Sequence, residues 1–161
     1  MADAKIESPL PLILKDTKEK EGHGWRWIKS RTFRGMESRG LKTGDYTIEG
    51  FEDVLAIERK GSIAEWAQNI TQKRFERELQ RLDEIPYAWI LLEFTMKEVM
   101  GYPQTSTIPR KRWRYLAFGG AFILKKTVEM MMQHKVHIVF CGTHGKEVAT
   151  QIMKRVLECQ S

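Results

Sequence analysis

Two carboxylates within residues 44–60 have the spacing that a bound metal ion needs. The segment reads GDYTIEGFEDVLAIERK and contains Asp45 and Glu58. Turn residues in its middle, flanked by β-branched and aromatic residues, predict a β-hairpin. If the turn is centred on residues 51 and 52, Asp45 lies opposite Glu58, where the two Cβ atoms are about 5 Å apart and like charges repel. A divalent cation would remove this repulsion, so the segment predicts a metal site.

Lys60 follows Glu58 by two residues, so strand alternation places both on one face and turns Arg59 to the other. Hard cations such as Mg²⁺ or Mn²⁺ prefer oxygen ligands, which Asp45 and Glu58 supply. Such a cation serves phosphodiester hydrolysis as Lewis acid and template, and Lys60 could then hold or deprotonate the attacking water. The alternative for Glu58 and Lys60 is an exposed strand pair without a metal. For Arg59 the alternatives are a structural ion pair and contact with DNA.

Apolar periodicity predicts the elements that position these residues. Residues 11–15 form an apolar run typical of a buried strand, which ends at polar residues. Residues 21–42 are loop-like, with a short strand at 25–28 as an option. A capping box formed by Ser62 and Glu65 starts a helix at residue 63. The apolar phase slips near residues 71 and 72, which indicates a kink or two short helices.

The second half of the chain continues as strands and helices. Residues 88–92 are a continuous apolar run, as expected for a strand covered on both faces. A polar loop follows at 100–109, and helical spacing follows at 110–133, interrupted by Gly119 and Gly120. The final elements that we expect are a strand at 136–141 and a helix at 146–158.

Length and composition favour one globular domain over residues 1–161, because 42% of the residues are hydrophobic, 30% are charged and no linker divides the chain. The N-terminus lacks the apolar run of a signal peptide, and no 18 apolar residues follow one another, so we expect a cytoplasmic protein that is neither secreted nor membrane-spanning. Both cysteines are expected to be reduced thiols. The net charge of +6 favours an acidic partner, of which nucleic acid is the commonest.

Four motifs occur in a family-specific order. They are Asp16-Thr17-Lys18-Glu19 after the first strand, Gly44-Asp45-Tyr46, Glu58-Arg59-Lys60, and Arg74-Phe75-Glu76-Arg77-Glu78-Leu79 on the following helix, before an apolar strand that ends at Glu93. In this order they resemble the nuclease domain of XPF-type structure-specific endonucleases, a branch of the PD-(D/E)XK nuclease superfamily. The resemblance is strongest over residues 13–93 and covers most of the chain.

The resemblance implies an α/β fold with a restriction-endonuclease-like core, in which helices flank a central mixed β-sheet. It also implies a metal at Asp45 and Glu58, a catalytic Lys60, and DNA as the substrate. The family usually carries an aspartate on the fourth residue after this lysine, but here that residue is Ala64. The neighbouring Glu65 is turned about 100° around the helix and serves the cap.

A third metal ligand is therefore missing, and Asp16 is the first candidate. Glu19 could add a ligand or hydrogen-bond to one, and the alternative for both residues is to cap the chain as it leaves the sheet. His137, Cys141, His144 and Cys159 match no familiar zinc spacing, so no zinc site is expected. The chain ends without space for the tandem helix-hairpin-helix domain of many relatives, so we expect a small stand-alone form.

Basic residues in three segments are candidates for DNA contact. The cations of the first two segments are Arg31, Arg34, Arg39 and Lys42 in the loop-like stretch, and Arg110, Lys111, Arg112 and Arg114, which are interleaved with aromatics. Within the second, Trp113 also fits the apolar stripe of a helix. On the helix of the fourth motif, Arg74, Arg77 and Glu78 either approach the scissile phosphate or form i,i+4 pairs on a solvated face.

The expected function is a Mg²⁺- or Mn²⁺-dependent DNA endonuclease that acts on branched or flapped DNA in repair or recombination, in a bacterial or phage setting. One alternative is a Holliday-junction resolvase. The other is a DNA-binding scaffold that has lost catalysis, an option that Ala64 leaves open. A homodimer is a further expectation, because one domain alone offers few ways to recognise a branch.

Overall fold

The computed structural model describes residues 9–19 and 22–160. Residues 1–8, on which the absence of a signal peptide was argued, lie outside the described residues, as do 20, 21 and 161. The strands are β1 (Leu12–Asp16), β2 (Gly35–Arg39), β3 (Tyr46–Ile48), β4 (Leu55–Lys60), β5 (Tyr87–Leu92) and β6 (His137–Phe140). The α-helices are α1 (Ile63–Asn69), α2 (Lys73–Asp83), α3 (Met96–Met100), α4 (Gly120–Gln133) and α5 (Gly145–Cys159), and a 3-10 helix, η1, spans Arg110–Tyr115.

All six strands form one sheet in the order β2-β1-β3-β4-β5-β6. The pairs β1·β2, β4·β5 and β5·β6 are parallel, whereas β1·β3 and β3·β4 are antiparallel. The sheet is therefore mixed, and helices flank it. This confirms the predicted α/β class.

Apolar side chains pack on both faces of the sheet. Ile90 belongs to a cluster with Trp66 of α1 and Ile123 of α4, while its neighbour Leu91 belongs to a second cluster with Met153 of α5. Because successive strand residues point to opposite faces, β5 must be apolar throughout to serve both clusters. The prediction of a strand covered on both faces is confirmed. In the part of the chain that is described, no helix combines the length and apolar character needed to cross a bilayer.

The predicted hairpin is present in the predicted register. Tyr46 pairs with Ile57, as the predicted register requires, and Asp45 immediately precedes this pair. The amide of Asp45 donates a hydrogen bond to the Ile57 carbonyl at 2.8 Å. The turn contains Gly50 with φ of +86°, a backbone conformation that glycine adopts without steric cost. The hairpin therefore fixes the spacing of the two carboxylates.

The chain reverses from β4 into α1 through the predicted cap. Ser62 Oγ accepts a hydrogen bond from the Glu65 amide at 3.1 Å, and the Glu65 carboxylate accepts one from the Gly61 amide at 3.0 Å. The helix ends at Asn69, and α2 starts at Lys73, so the slip in apolar phase corresponds to two helices. Of the two options left open, the second is the correct one.

The structure differs from the prediction in four places. Residues 25–28 do not form a strand, because Trp25 and Trp27 enter the core of the molecule instead and the Trp25 amide donates to Tyr46 Oη at 2.8 Å. The second strand is β2, a polar edge strand that apolar periodicity cannot detect. The loop expected at 100–109 is preceded by the five-residue α3, whose capping box, Thr95 with Glu98, is the signal that was available. Residues 110–133 are also divided, into η1 and α4.

We predict that Gly120→Ala destabilises the protein by about 2–4 kcal/mol, the usual range for a severe steric insertion in a packed interior. A Cβ at Gly120 would lie on the Val99 carbonyl oxygen, at 3.0 Å from the carbonyl carbon, and this backbone cannot move aside. Urea unfolding measures the effect. The control is Gly119→Ala, because its Cβ would meet only the Tyr102 oxygen at 3.8 Å and should change stability by less than about 1 kcal/mol. Equal losses in both variants would contradict the prediction.

Candidate active site

The end of β1, the β3–β4 hairpin, the start of α1 and one face of α2 surround an open cavity of about 560 Å³, here called the carboxylate cavity. Its acidic lining residues are Asp16, Glu19, Asp45, Glu58, Glu65 and Glu78, and its basic ones are Lys18, Lys42, Arg59, Lys60, Arg74 and Arg81. Every residue predicted to be catalytic or to bind metal is therefore brought together here.

Asp45 is held by the backbone of the opposite strand. Its Oδ2 accepts a hydrogen bond from the Arg59 amide at 2.8 Å. Gly44 precedes it with φ of +77°, and a Cβ there would lie 3.1 Å from the Ala56 Cβ and 3.2 Å from the Ile57 nitrogen. The glycine of the Gly-Asp motif is therefore needed both for its conformation and for close approach of the two strands.

Glu58 and Lys60 form an ion pair inside the cavity. Lys60 Nζ lies 3.2 Å from Glu58 Oε1, and Lys60 is only 6% exposed. The ammonium also lies 5.0 Å from the ring centroid of Phe75 on α2, a cation–π contact. The alternative of an exposed strand pair is wrong, because the pair is buried between β4 and α2.

The cavity raises the pKa values of its central groups. Burial, and then the charge of Glu58, raise the pKa of Asp45 well above its ordinary range. Burial, reinforced by the charge of Glu78, raises the pKa of Glu58 to about 7 although Lys60 opposes the shift. Burial lowers the pKa of Lys60. The charges of Glu58, Glu78 and Glu65 raise it by a larger amount, so the net shift is upward. Two carboxylates here resist ionisation in spite of a neighbouring ammonium, which is the electrostatic situation that another cation relieves.

Arg59 points to the other side of β4 and joins two further carboxylates. Its Nε pairs with Glu93 at the end of β5, and its Nη1 lies 3.4 Å from Glu19 Oε1. The guanidinium carbon also lies 5.9 Å from the ring centroid of Trp25. Of the two readings of Arg59, the structural ion pair is the one with contacts in the structure.

Asp16 borders the carboxylate cavity but already has a structural partner. Its Oδ1 accepts a hydrogen bond from the Leu41 amide at 2.9 Å, and the residue is 5% exposed. Its own amide donates to the Asp45 carbonyl at 2.7 Å. Among the described residues, no three His, Cys, Asp or Glu side chains converge as a metal site. The role of Asp16 as third ligand, and that of Glu19 beside the metal, stay predictions.

Ala64 borders a neighbouring cavity and does not line the carboxylate cavity, whereas Glu65 lines both. The position where the resembling family carries an aspartate is thus separated from Asp45 and Glu58 by the first turn of α1. Two other lining residues, Lys18 and Thr43, were not singled out from the sequence. The charge of Lys18 beside the first motif was an available signal, and nothing in the sequence marks Thr43.

The arginines of α2 form no ion pairs among the described residues. Arg74 and Arg81 line the carboxylate cavity, and Arg77 is exposed outside it. No carboxylate lies in ion-pair distance of these three arginines in residues 9–19 and 22–160. The prediction of i,i+4 pairs on this face is therefore wrong, and two arginines remain available to an anion in the cavity.

The four cations predicted in the loop-like stretch divide into two groups. Arg34 and Arg39 both pair with Glu49, at 3.3 and 2.8 Å, and the hydrogen bond that Arg39 donates to Glu49 is the main cause that raises the pKa of Arg39. Lys42 lines the carboxylate cavity, and Arg31 is exposed. Because Glu49 offsets Arg34 and Arg39, Lys42 and Arg31 are the stronger candidates for phosphate contact.

The basic residues of η1 are exposed and, among the residues that the structure describes, have no carboxylate partner. They are Arg110, Lys111, Arg112 and Arg114. Trp113 is half-buried, and its Nε1 donates to the Ile108 carbonyl at 2.9 Å. Trp113 therefore packs as the apolar alternative predicted and anchors η1. The cations of the same segment remain in solvent.

Comparison with solved structures identifies the same fold in two structures of XPF from Aeropyrum pernix. XPF from Aeropyrum pernix superimposes with a TM-score of 0.60 over 91% of this chain at 16% sequence identity, and XPF from Aeropyrum pernix in complex with DNA superimposes with a TM-score of 0.57 over 92%. The chain spans 61% and 66% of the lengths of those two chains. No protein-family model matches the sequence, and no curated protein matches it significantly. The XPF-like resemblance inferred from the motifs is confirmed for the fold.

We predict that Glu58→Gln gains stability over the wild type as the pH rises from 5 to 8 in metal-free buffer. The folded-state pKa of Glu58 is raised from 4.5 to about 7, so its contribution is fully present below pH 4.5 and is lost as pH rises through 7. The difference in the free energy of unfolding should grow by roughly 1–3 kcal/mol. Urea titrations at several pH values measure it.

The control is Glu76→Gln on the exposed face of α2. Because this side chain is exposed, the substitution should change stability by less than about 0.5 kcal/mol. A flat difference for Glu58→Gln would contradict the burial of an ionisable Glu58.

Proposed function

We propose that this chain is a Mg²⁺- or Mn²⁺-dependent DNA endonuclease that hydrolyses phosphodiester bonds at branches or flaps. The observation that carries the proposal is the half-buried pair Asp45 and Glu58. They share one cavity with Lys60 and with arginines that have no carboxylate in ion-pair distance among the described residues. The carboxylates of the cavity suit a metal ion, and the cations beside them suit a phosphate group. The XPF-like fold, seen elsewhere in complex with DNA, supports the same conclusion.

Asp45 and Glu58 would hold the metal. Each has one oxygen engaged, Asp45 by the Arg59 amide and Glu58 by Lys60, so each keeps one oxygen for a ligand role. Such a metal, when bound, supplies Lewis acidity and lowers the pKa of a coordinated water. Two protein carboxylates are also what Mg²⁺ commonly uses, since it retains several waters and takes further oxygens from the substrate.

Lys60 would act as a hydrogen-bond donor in this site. The surrounding carboxylates raise its pKa, so its side chain is an ammonium at neutral pH. An ammonium cannot remove a proton, but it can orient a water or stabilise charge on a phosphate oxygen. Between the two roles considered for Lys60, holding the water is the one that its environment favours.

The arginines of α2 would bind the scissile strand. Arg74 and Arg81 are separated by seven residues, two helical turns, and both line the carboxylate cavity. Guanidinium groups bind phosphate oxygens in a bidentate manner, which orients the strand as well as attracting it. The proposed function includes action on branched DNA in repair or recombination. A homodimer and a cytoplasmic location stay predictions.

We predict that Asp45→Asn and Glu58→Gln lower the rate of DNA cleavage by about a hundredfold or more, because each removes a charged metal ligand. Labelled flap, fork and four-way substrates are incubated with Mg²⁺ or Mn²⁺, and products are resolved on gels. Both variants should be at least as stable as the wild type, since each carboxylate resists ionisation in the cavity. Loss of activity would then not be loss of fold.

The control for the cleavage experiment is Glu76→Gln, which lies outside the carboxylate cavity and should cut like the wild type. Symmetric paired nicks on the four-way substrate alone would favour a resolvase. Wild-type protein that binds these substrates but cuts none of them faster than Asp45→Asn would favour the inactive scaffold and overturn the proposal.

We predict that Arg74→Ala and Arg81→Ala each reduce the salt dependence of DNA binding. Loss of one phosphate contact should flatten the slope of log K against log salt by about 0.9. Fluorescence anisotropy with a labelled duplex at several salt concentrations measures the slope. Arg77→Ala is the matched control, because this arginine lies on the same helix outside the cavity. An equal change in all three variants would argue against a specific role of the cavity-lining arginines.

A further inference from the structure

We propose that a second cavity, between α1 and the segment 108–118, binds an unpaired nucleobase of the DNA strand whose backbone enters the carboxylate cavity. The inference rests on the proposed function and adds to it a site for single-stranded DNA. This α1–η1 cavity has a volume of about 690 Å³, more than enough for one or two bases. It is the larger neighbour of the carboxylate cavity, and the proposed metal chemistry does not use it.

The walls of the α1–η1 cavity suit a flat aromatic ligand. One wall is formed by α1, which contributes Ala64 and Gln68, and by the turn after it, which contributes Thr71. The opposite wall is apolar and aromatic, with Tyr102 and Phe118 among its members. A nucleobase has two apolar faces and a polar edge, so apolar walls and nearby amide groups match it.

Tyr115 supplies an exposed stacking platform at the mouth of this cavity. Its side chain is 74% exposed, so the ring is accessible to a ligand. The guanidinium of Arg114 lies 4.9 Å from its ring centroid. Aromatic rings next to arginines are the recurring elements of sites for single-stranded nucleic acid.

Charge identifies the ligand as part of a polyanion. Arg112 lines the cavity, and it and the other cations of η1 have no carboxylate partners among the described residues. An apolar peptide would gain nothing from these cations, whereas a nucleotide brings one phosphate for each base. The combination of apolar walls and a cationic rim therefore favours a nucleic acid strand over a protein partner.

Continuity with the carboxylate cavity identifies which strand it is. Glu65 in the first turn of α1 lines both cavities, and Ala64 beside it lines only the second. A strand that has its phosphate near Lys60 would need to cross only this turn to place the adjoining base in the α1–η1 cavity. The small side chain of Ala64 keeps that path open.

The experiment compares three DNA probes in EDTA, so that binding is measured without cleavage. They are a blunt duplex, the same duplex with a short single-stranded tail, and the same tail made of abasic nucleotides. The intact tail should increase affinity, and the abasic tail, which has the same phosphates, should not. Tyr115→Ala should lower affinity for the tailed duplex by about fivefold to a hundredfold and leave the blunt duplex unchanged.

Met132→Ala is the matched control, because Met132 on α4 is similarly exposed, at 81%, and lies outside both cavities. It should bind all three probes like the wild type. A second variant, Ala64→Phe, fills the cavity and should abolish the gain from the tail. Equal affinity for intact and abasic tails, or equal loss by Tyr115→Ala on tailed and blunt probes, would overturn the inference.

The outcome is independent of the cleavage assay. A protein that cuts DNA but gains nothing from an intact tail refutes the base site and leaves the endonuclease proposal in place. A protein that gains affinity from an intact tail but cuts no substrate refutes the endonuclease proposal and keeps the base site.

Discussion

The structure holds two carboxylates, Asp45 and Glu58, in the half-buried carboxylate cavity in spite of their mutual repulsion. Tyr46 of β3 pairs with Ile57 of β4, which brings the neighbouring Asp45 and Glu58 into one cavity, and the Arg59 amide fixes one oxygen of Asp45. Lys60 compensates only part of the charge, because the pKa of Glu58 remains raised to about 7. A fold driven by stability alone would avoid this arrangement, since the burial of such groups costs free energy. Its presence is therefore best explained by a ligand that the carboxylates bind.

The strand ends around this pair are connected by a second set of charges on the other side of β4. Arg59 joins Glu19, after β1, to Glu93, after β5, while alternation sends Glu58 and Lys60 into the cavity. The strand β4 thus serves two purposes. Glu58 and Lys60 lie in the site, and Arg59 between them holds the neighbouring strands in place. This explains why the motif needs Glu-Arg-Lys as a unit, and why Arg59 has a structural partner on each side.

Local signals in the sequence were sufficient for the hairpin, its register, the Ser62 cap and the break between α1 and α2. Turn chemistry, capping and apolar phase act within a few residues, so they can be recognised without the fold. The edge strand β2 was missed because its exposed polar residues carry no apolar pattern. The partners of the cations could not be predicted either: Arg39 meets Glu49, which lies ten residues away, and only the packed structure brings Asp16 to the Leu41 amide.

The first turn of α1 is where the two cavities meet, and its residues explain a departure that the sequence left open. Had Ala64 been a missing metal ligand, its position should border the carboxylate cavity, but it borders the α1–η1 cavity instead. Glu65, which lines both, is engaged with the Gly61 amide and keeps the turn in place. Ala64 therefore contributes no side chain to the carboxylate cavity. If DNA binds as we propose, the small side chain of Ala64 leaves room for a strand to pass from the carboxylate cavity to Tyr115, an arrangement that would distinguish single-stranded from paired DNA.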